Sequence, residues 1–506
     1  MIARRLGAIP AGLVVLGLAA PGLVGSSAAP RSAVPAPMVA PAPAAGSGPV
    51  NGVPAAELDQ MRREAPLVAA ASRIRHAAED GAAAGYVGVA LTSVGDGVDV
   101  YWKGTPADAI RAVIDREATS VRVTVRPAPY SRAELDAAAA QVSAAVTRPG
   151  ESRRVSVSFP VTGDGVTVRT DTADRTRALL PKVAVPVTVT ALPKALRRAT
   201  APKPAATAKA AASAANEGAW PSPSRQRDAK PAWGGAHIIN YNATGGNQGW
   251  LSRDEFGAIT PADDKWHCTS GFPVLNTATN TELMVGAASC GAPRQLFVNA
   301  NGEGVNDPLA GDANWLVESL GLMLTRPAGG AEPFIYTGGS WSDTGWSVSA
   351  HDYLLANQHV CITGAETGLM CGATVTTEIG TRTRWMAASQ GNSLYLTGMT
   401  GIELDTTRRV YVLKDQSLCN GLSTIEVYCA KDWLGEGDIG APIFTIDGGD
   451  KTGVTVRGIY LTNRYPENGE AFTSGFGDAM DADKVLRTFA NLGTPLQILN
   501  QQNNVR

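Results

Sequence analysis

Between residues 54 and 192 the apolar positions follow two different rhythms. The runs 87–91 and 98–102 flank Gly95-Asp96-Gly97, and the runs 155–161 and 166–169 flank Gly163-Asp164-Gly165. Each pair predicts a β-hairpin, because the glycines supply the tight turn. Val121, Val123 and Val125 alternate with Arg122, Thr124 and Arg126, the period of a strand with one buried face. Thr105-Pro106 offers an N-cap and a proline at the first helical position, predicting a helix to about Glu117. Ser131-Arg132-Ala133-Glu134 is a capping box and predicts a second helix to about Val146. The unit reads as mixed α/β.

From residue 233 to 500 the pattern changes. Short apolar runs are separated by clusters of Gly, Asn, Asp, Ser and Thr, which predicts many strands in a sandwich or barrel. Only residues 481–491 have helical spacing, through Val485, Leu486 and Phe489. Residues 29–53 are rich in Ala, Pro, Gly and Ser and are expected to be disordered. Residues 193–232 form an Ala/Pro/Lys/Arg linker containing Pro202-Lys203-Pro204 and Pro221-Ser222-Pro223. Arg197-Arg198 and Arg225-Gln-Arg227-Asp-Ala-Lys230 within it offer sites to a basic-specific protease.

Charge and cysteines narrow the setting. A net charge of −2 gives no reason to expect nucleic acid or an anionic membrane as partner. Residues 1–28 read as a secretory signal: Arg4 and Arg5, an apolar run from Leu6 to Val24, then small residues at Ser26, Ser27 and Ala28. The mature chain is therefore expected to be secreted, with no membrane attachment after signal removal. All six cysteines follow residue 267. An even number in an exported chain predicts disulfides, and the simplest of the possible connectivities joins sequence neighbours: Cys268 with Cys290, Cys361 with Cys371, Cys419 with Cys429. None has the Cys-x-x-Cys spacing of a zinc site, and neither metal nor cofactor is expected.

Residues 435–444 read Gly-Glu-Gly-Asp-Ile-Gly-Ala-Pro-Ile-Phe. The string resembles the Gly-Asp-Ser-Gly-Gly-Pro segment of trypsin-like serine proteases, with Ile439 where the serine nucleophile stands. Cys268-Thr-Ser-Gly-Phe272 and Val285-Gly-Ala-Ala-Ser-Cys290-Gly291 resemble the family's Cys-Thr-x-Gly-Phe and Thr-Ala-Gly-His-Cys-Gly. Cys361-Ile-Thr-Gly-Ala-Glu-Thr-Gly368-Leu-Met-Cys371-Gly372 is similar to the disulfide loop Cys-x-Ser-Gly-x-x-Thr-Gly-x-x-Cys-Gly. Together they resemble the bacterial streptogrisin and alpha-lytic type over roughly residues 234–495. Gly85-Tyr-Val-Gly88, Val100-Tyr-Trp-Lys-Gly104 and Ala128-Pro-Tyr-Ser-Arg-Ala-Glu-Leu135 resemble the propeptide of these enzymes, a folding assistant removed on maturation. The resemblance implies an all-β double six-stranded antiparallel barrel with a C-terminal helix at 233–500, preceded by an α/β propeptide domain at 54–192.

The resemblance also implies a catalytic triad, and the residues for it are missing. Such catalysis needs a nucleophile, a base to take its proton, and a carboxylate to orient the base. The corresponding positions hold Ile439, Ser289 and Ser319, the last in a softer register because Asp312 and Glu318 are close. Isoleucine has no oxygen to attack a carbonyl, and a serine hydroxyl is no base near neutral pH. His76, His237, His267, His351 and His359 match no catalytic motif. The backbone N–H groups of Gly437 and Ile439 are expected to keep an anion-accepting pocket, and Asp438 to be a buried partner for a cation or amide. In the substrate groove Leu461, Thr462 and Asn463 stand where the family has small residues, and Trp433 falls near the primary pocket.

These features imply a secreted, non-catalytic protease homologue, a binding or decoy module for a protein or peptide, with its own propeptide as a second partner. An active serine endopeptidase with a rebuilt site, and a structural protein of the cell envelope, are the alternatives.

Overall fold

The computed structural model describes residues 53–146 and 155–191 with single-residue gaps, and residues 225–504 with longer breaks, the longest at 413–433. The N-terminal lobe opens with helix α1 (Ala55–Asp80), which the hydrophobic pattern did not suggest. Ala, Leu, Glu and Arg dominate it, all strong helix formers, and Pro66 sits inside it without ending it. Its buried positions include Leu58, Met61, Leu67 and Ile74.

Two small sheets follow. Strands β1 (Tyr86–Leu91) and β2 (Val98–Trp102) form the expected hairpin around Gly95, which has a φ of +66°. Helix α2 (Asp108–Glu117) then crosses over to β3 (Val123–Pro127), parallel to β2. The helix starts later than Thr105-Pro106 predicts: Ala107 occupies the cap, without a side-chain bond. The capping box of α3 (Arg132–Val146) is formed, with the Ser131 amide donating to Glu134 Oε2 at 2.8 Å. Strands β4 (Val155–Pro160) and β5 (Val166–Thr170) make the second hairpin, and α4 (Ala173–Leu179) leads to β6 (Val187–Ala191), parallel to β5.

The C-terminal lobe is mostly strand. Strand β7 (His237–Asn240) pairs antiparallel with β8 (Trp266–Thr269). Strands β9 (Pro273–Asn276), β10 (Thr281–Ala287), β11 (Asp312–Val317) and β12 (Leu322–Arg326) form an antiparallel sheet in the order β11-β12-β10-β9. Beyond the strands Ala331–Tyr336 and Gly345–His351, and with shorter strands among them, lie β13 (His359–Gly364), β14 (Gly368–Ile379), β15 (Thr400–Glu403), β16 (Pro442–Ile446), β17 (Gly453–Asn463) and β18 (Phe476–Asp481). Their pairings close on themselves as β14-β13-β16-β17-β18-β15-β14, every pair antiparallel. A closed barrel leaves no strand without two neighbours, although β17 outruns β16 at its far end.

Helix α5 (Ala482–Asn491), capped by Asp481, carries the chain back to β19 (Leu496–Ile498), which adds to β9. One of the two expected six-stranded barrels is therefore present. The other half is, among the described residues, a five-stranded sheet in open order and a three-stranded sheet in which β7 pairs with both β8 and the short strand Phe297–Val298. The chain joining these pieces, at 241–265 and 299–311, lies largely outside the described residues.

The lobes share their cores. Val53, Leu58 and Met61 of the N-terminal lobe belong to the same apolar cluster as Phe444, Ile459 and Val485. Conversely, Tyr353 and Leu355 of the C-terminal lobe complete the cluster built on Leu67, Ile74 and Trp102. Strand β4 also continues into β14 through the pairs Phe159–Ile379 and Pro160–Glu378. Met61→Ala removes a side chain from the C-terminal core, and the expected loss is about 2–5 kcal/mol. Scanning calorimetry should show one transition moved down as a whole, with no separate N-terminal transition.

Candidate functional site

Strand β8 ends at Thr269, and Cys268 just before it is bonded to Cys290 with a Cα–Cα distance of 6.0 Å. Cys290 closes the short 3-10 turn Ala288–Cys290, which carries Ser289. The Thr269 amide donates to the Ile439 carbonyl at 2.8 Å, and Cys290 Sγ lies 3.7 Å from the same oxygen. The sequence-predicted positions 289 and 439 are thus brought to one place by the disulfide and a single backbone bond. The second expected disulfide, Cys361–Cys371, is also present across the β13–β14 hairpin.

Residues 436–440 form a tight knot. Glu436–Asp438 is a 3-10 turn, followed by Gly440 at φ +97°. A Cβ on Gly440 would lie 2.1 Å from the Thr269 carbonyl oxygen, so glycine is required here for both conformation and space. Asp438 is fully buried and accepts the amides of Glu366 and Thr367 at 2.8 and 2.9 Å, together with the Thr367 hydroxyl. Thr269 Oγ1 donates to the Gly437 carbonyl at 2.7 Å and accepts the Ala365 amide at 2.9 Å.

Arg225 reaches the same region. It is fully buried and donates to the Gly364 carbonyl at 2.7 Å, while its own carbonyl accepts the His237 amide at 2.9 Å. Burial lowers its guanidinium to about 10, and the charge of Asp438 opposes that shift. The expectation that Arg225 offers a cleavage site in a solvated linker is overturned. Asp228 is likewise buried, accepting from Tyr336 Oη at 2.8 Å and from the Trp233 amide at 3.1 Å.

The candidate catalytic positions are apolar or idle. Ile439 is 5 % exposed and belongs to the main core cluster. Ser289 is 2 % exposed, and its Oγ has no hydrogen-bond partner among the described residues. The Gly437 amide is not open to an incoming oxyanion: it donates to Glu366 Oε2 at 3.0 Å. A carboxylate of the chain itself fills the position the sequence reading left to a substrate oxygen. Leu461 is buried in the main core and offers no side chain to a ligand at the surface. Thr462 and Asn463 lie on β17 opposite Asp478 and Gly477. Ser319, Trp433, Cys419 and Cys429 fall outside the described residues.

The histidines are occupied elsewhere. His237 Nε2 and His267 Nδ1 are 2.9 Å apart on β7 and β8, with both residues buried. Burial, then the neighbouring His267, pushes His237 well below its ordinary value, so it is neutral near pH 7. It lines a small cavity with Asp228, Met284 and Met323, and neither Ser289 nor Ile439 faces that cavity. His359 bonds Glu64 of α1, and His76 bonds Tyr353 Oη at 3.0 Å. Sequence reading did not find Glu366, Arg225 or the histidine pair, because each acts through a fold-brought neighbour and not a spaced motif.

No protein-family model matches the chain, and no curated protein matches it. Among solved structures it is similar to Thermobifida fusca protease A, at 14% identity and a TM-score of 0.30, covering 53% of this chain and 98% of that one. It is also similar to a Nocardiopsis protease and to a Cellulomonas bogoriensis chymotrypsin. Both are 14% identical with a TM-score of 0.28, cover 46% of this chain, and are covered over 92% and 91% of their own length respectively. Likeness of this degree leaves the fold to be read from the strand pairings themselves.

Two outcomes follow from the site. Ser289→Ala removes a buried hydroxyl that has no partner, so stability should hold or rise by up to about 1 kcal/mol in urea titration. The second concerns pH. The folded value of His237 is depressed, so unfolded imidazole binds the proton more tightly. Stability is full above the unfolded value of about 6.5 and falls as pH drops below it, towards the folded value. The urea midpoint should therefore decline between pH 7 and pH 5, and decline less in His237→Gln.

Proposed function

We propose that the chain is a secreted, non-catalytic homologue of the trypsin-like serine proteases that binds an extended peptide or protein segment. The observation that carries this reading is Ile439: an apolar, core-packed side chain at the centre of a turn whose glycine, aspartate and disulfide neighbours are all in place. The surroundings support it. Among the described residues no base bonds Ser289, and Glu366 takes the amide on which an oxyanion would rest.

Strand β17 supports the binding part. Its pairing with β16 ends at Ile459–Pro442, and the Tyr460 amide and carbonyl go to residues 441 and 440. Its pairing with β18 continues to Asn463–Gly477. Residues 461–463 therefore offer one backbone edge on the β16 side that no strand among the described residues takes, and an extended peptide can add there as a strand. This chain would hold such a peptide without cutting it.

Incubation with a library of extended peptides tests both parts. Peptides should be captured reversibly, with no new termini detected by mass spectrometry; hydrolysis contradicts the first part and absence of capture the second. Ile439→Ser alone should give no turnover of fluorogenic peptides and should cost about 2–4 kcal/mol of stability, because it places a hydroxyl in the core.

A further inference from the structure

We infer that the N-terminal lobe is a permanent subunit of this protein, and that it stays docked when the chain between the lobes is cut. A folding assistant that is later discarded must leave behind a partner able to stand alone. Here neither lobe keeps a complete core or a satisfied polar surface once the other is gone.

Three kinds of contact carry the inference. The apolar ones are reciprocal: Leu58 and Met61 enter the C-terminal core, while Tyr353 and Leu355 enter the N-terminal one. Separation would expose apolar side chains on both sides, and residues 47–506 accordingly form one compact unit. The backbone contacts are also two-sided. The free edge of β1 is taken by residues 356 and 357: the Leu91 amide donates to the Ala356 carbonyl at 2.9 Å, and Asn357 Nδ2 donates to the Leu91 carbonyl at 2.7 Å. The free edge of β4 is taken by β14, where the Val161 amide donates to the Thr377 carbonyl at 2.7 Å. Undocking would bare two sheet edges.

The polar contacts make parting hardest. Glu64, 2 % exposed, accepts the His359 amide at 3.0 Å and faces its ring. Ser72 donates to Asp352 at 2.7 Å, and Arg457 pairs with the same carboxylate at 2.8 Å. Arg75 donates to Asp481 at 3.0 Å and to the Leu354 carbonyl at 3.2 Å, while it stacks over the Tyr353 ring. Asp481 is also the cap of α5 and accepts the Leu354 amide at 3.1 Å. Without Arg75 the C-terminal lobe would keep a carboxylate whose nearest cation has left, at the root of its last helix.

The test uses the full chain with a site-specific protease sequence replacing residues 205–212. After complete cutting, both fragments should co-elute at the size of the uncut protein in gel filtration, and still do so after 100-fold dilution. Elution as two separate species overturns the inference. A Glu64→Ala/Arg75→Ala version, cut in the same way, should lose its N-terminal fragment at least about 100-fold faster. If that version does not accumulate folded, Ser72→Ala serves instead and should speed loss by several-fold. Dissociation unchanged from the unaltered chain removes the polar contacts from the account. Peptide capture and hydrolysis play no part in this readout, so its outcome is independent of the proposed function.

Discussion

Asp438 is the buried charge on which the region around Ile439 depends. Its carboxylate holds the amides of Glu366 and Thr367, and the fully buried Arg225 stands close enough to feel its charge. Three stretches far apart in sequence are tied through it: the start of the C-terminal lobe, the β13–β14 turn, and the turn 436–440. A buried carboxylate of this kind is tolerated only with such partners, and removing one strands the other. The conformation that would present a nucleophile thus has reasons to persist that are independent of catalysis. Gly440, pressed against the Thr269 carbonyl, adds a steric reason.

What sits at the centre of that frame is built for packing. Ile439 joins the core, Ser289 is enclosed without a hydrogen-bond partner among the described residues, and Glu366 bonds the Gly437 amide. Under the proposed function these positions correspond to nucleophile, base and oxyanion support, and each change alone would impair acyl transfer. The buried frame and the open backbone edge of β17 can coexist because the edge needs only main-chain groups. On the proposed function, binding geometry and reactive chemistry are separable, because they draw on different groups.

Much of this was legible in the sequence where one local rule decided the outcome. The capping box at Ser131 and the two glycine-turn hairpins mapped directly onto elements; the alternating valines gave a strand from Val123 but not its buried face, since Val125 is exposed. Helix α1 was not, because its buried face is set by two lobes at once and its alanines obscure the period. The cap of α2 was misplaced, since Thr105-Pro106 satisfies the statistics of a helix start while the chain turns later, at Ala107. Arg225 read as part of a polar linker because charge near proline usually means solvent; only the fold supplies the carbonyls and the carboxylate that let it be buried. Around position 439 the missing oxygen of Ile439 was plain, whereas the Glu366 bond to Gly437 depends on a loop no spacing predicts.

A non-catalytic chain requires that none of its serines be an activated nucleophile. The most direct measurement is reaction of the purified full-length protein with a fluorophosphonate probe, beside an active trypsin-like protease, with labelled peptides mapped by mass spectrometry. No serine should be labelled under conditions that label the control completely. Stoichiometric labelling of a single serine would contradict it.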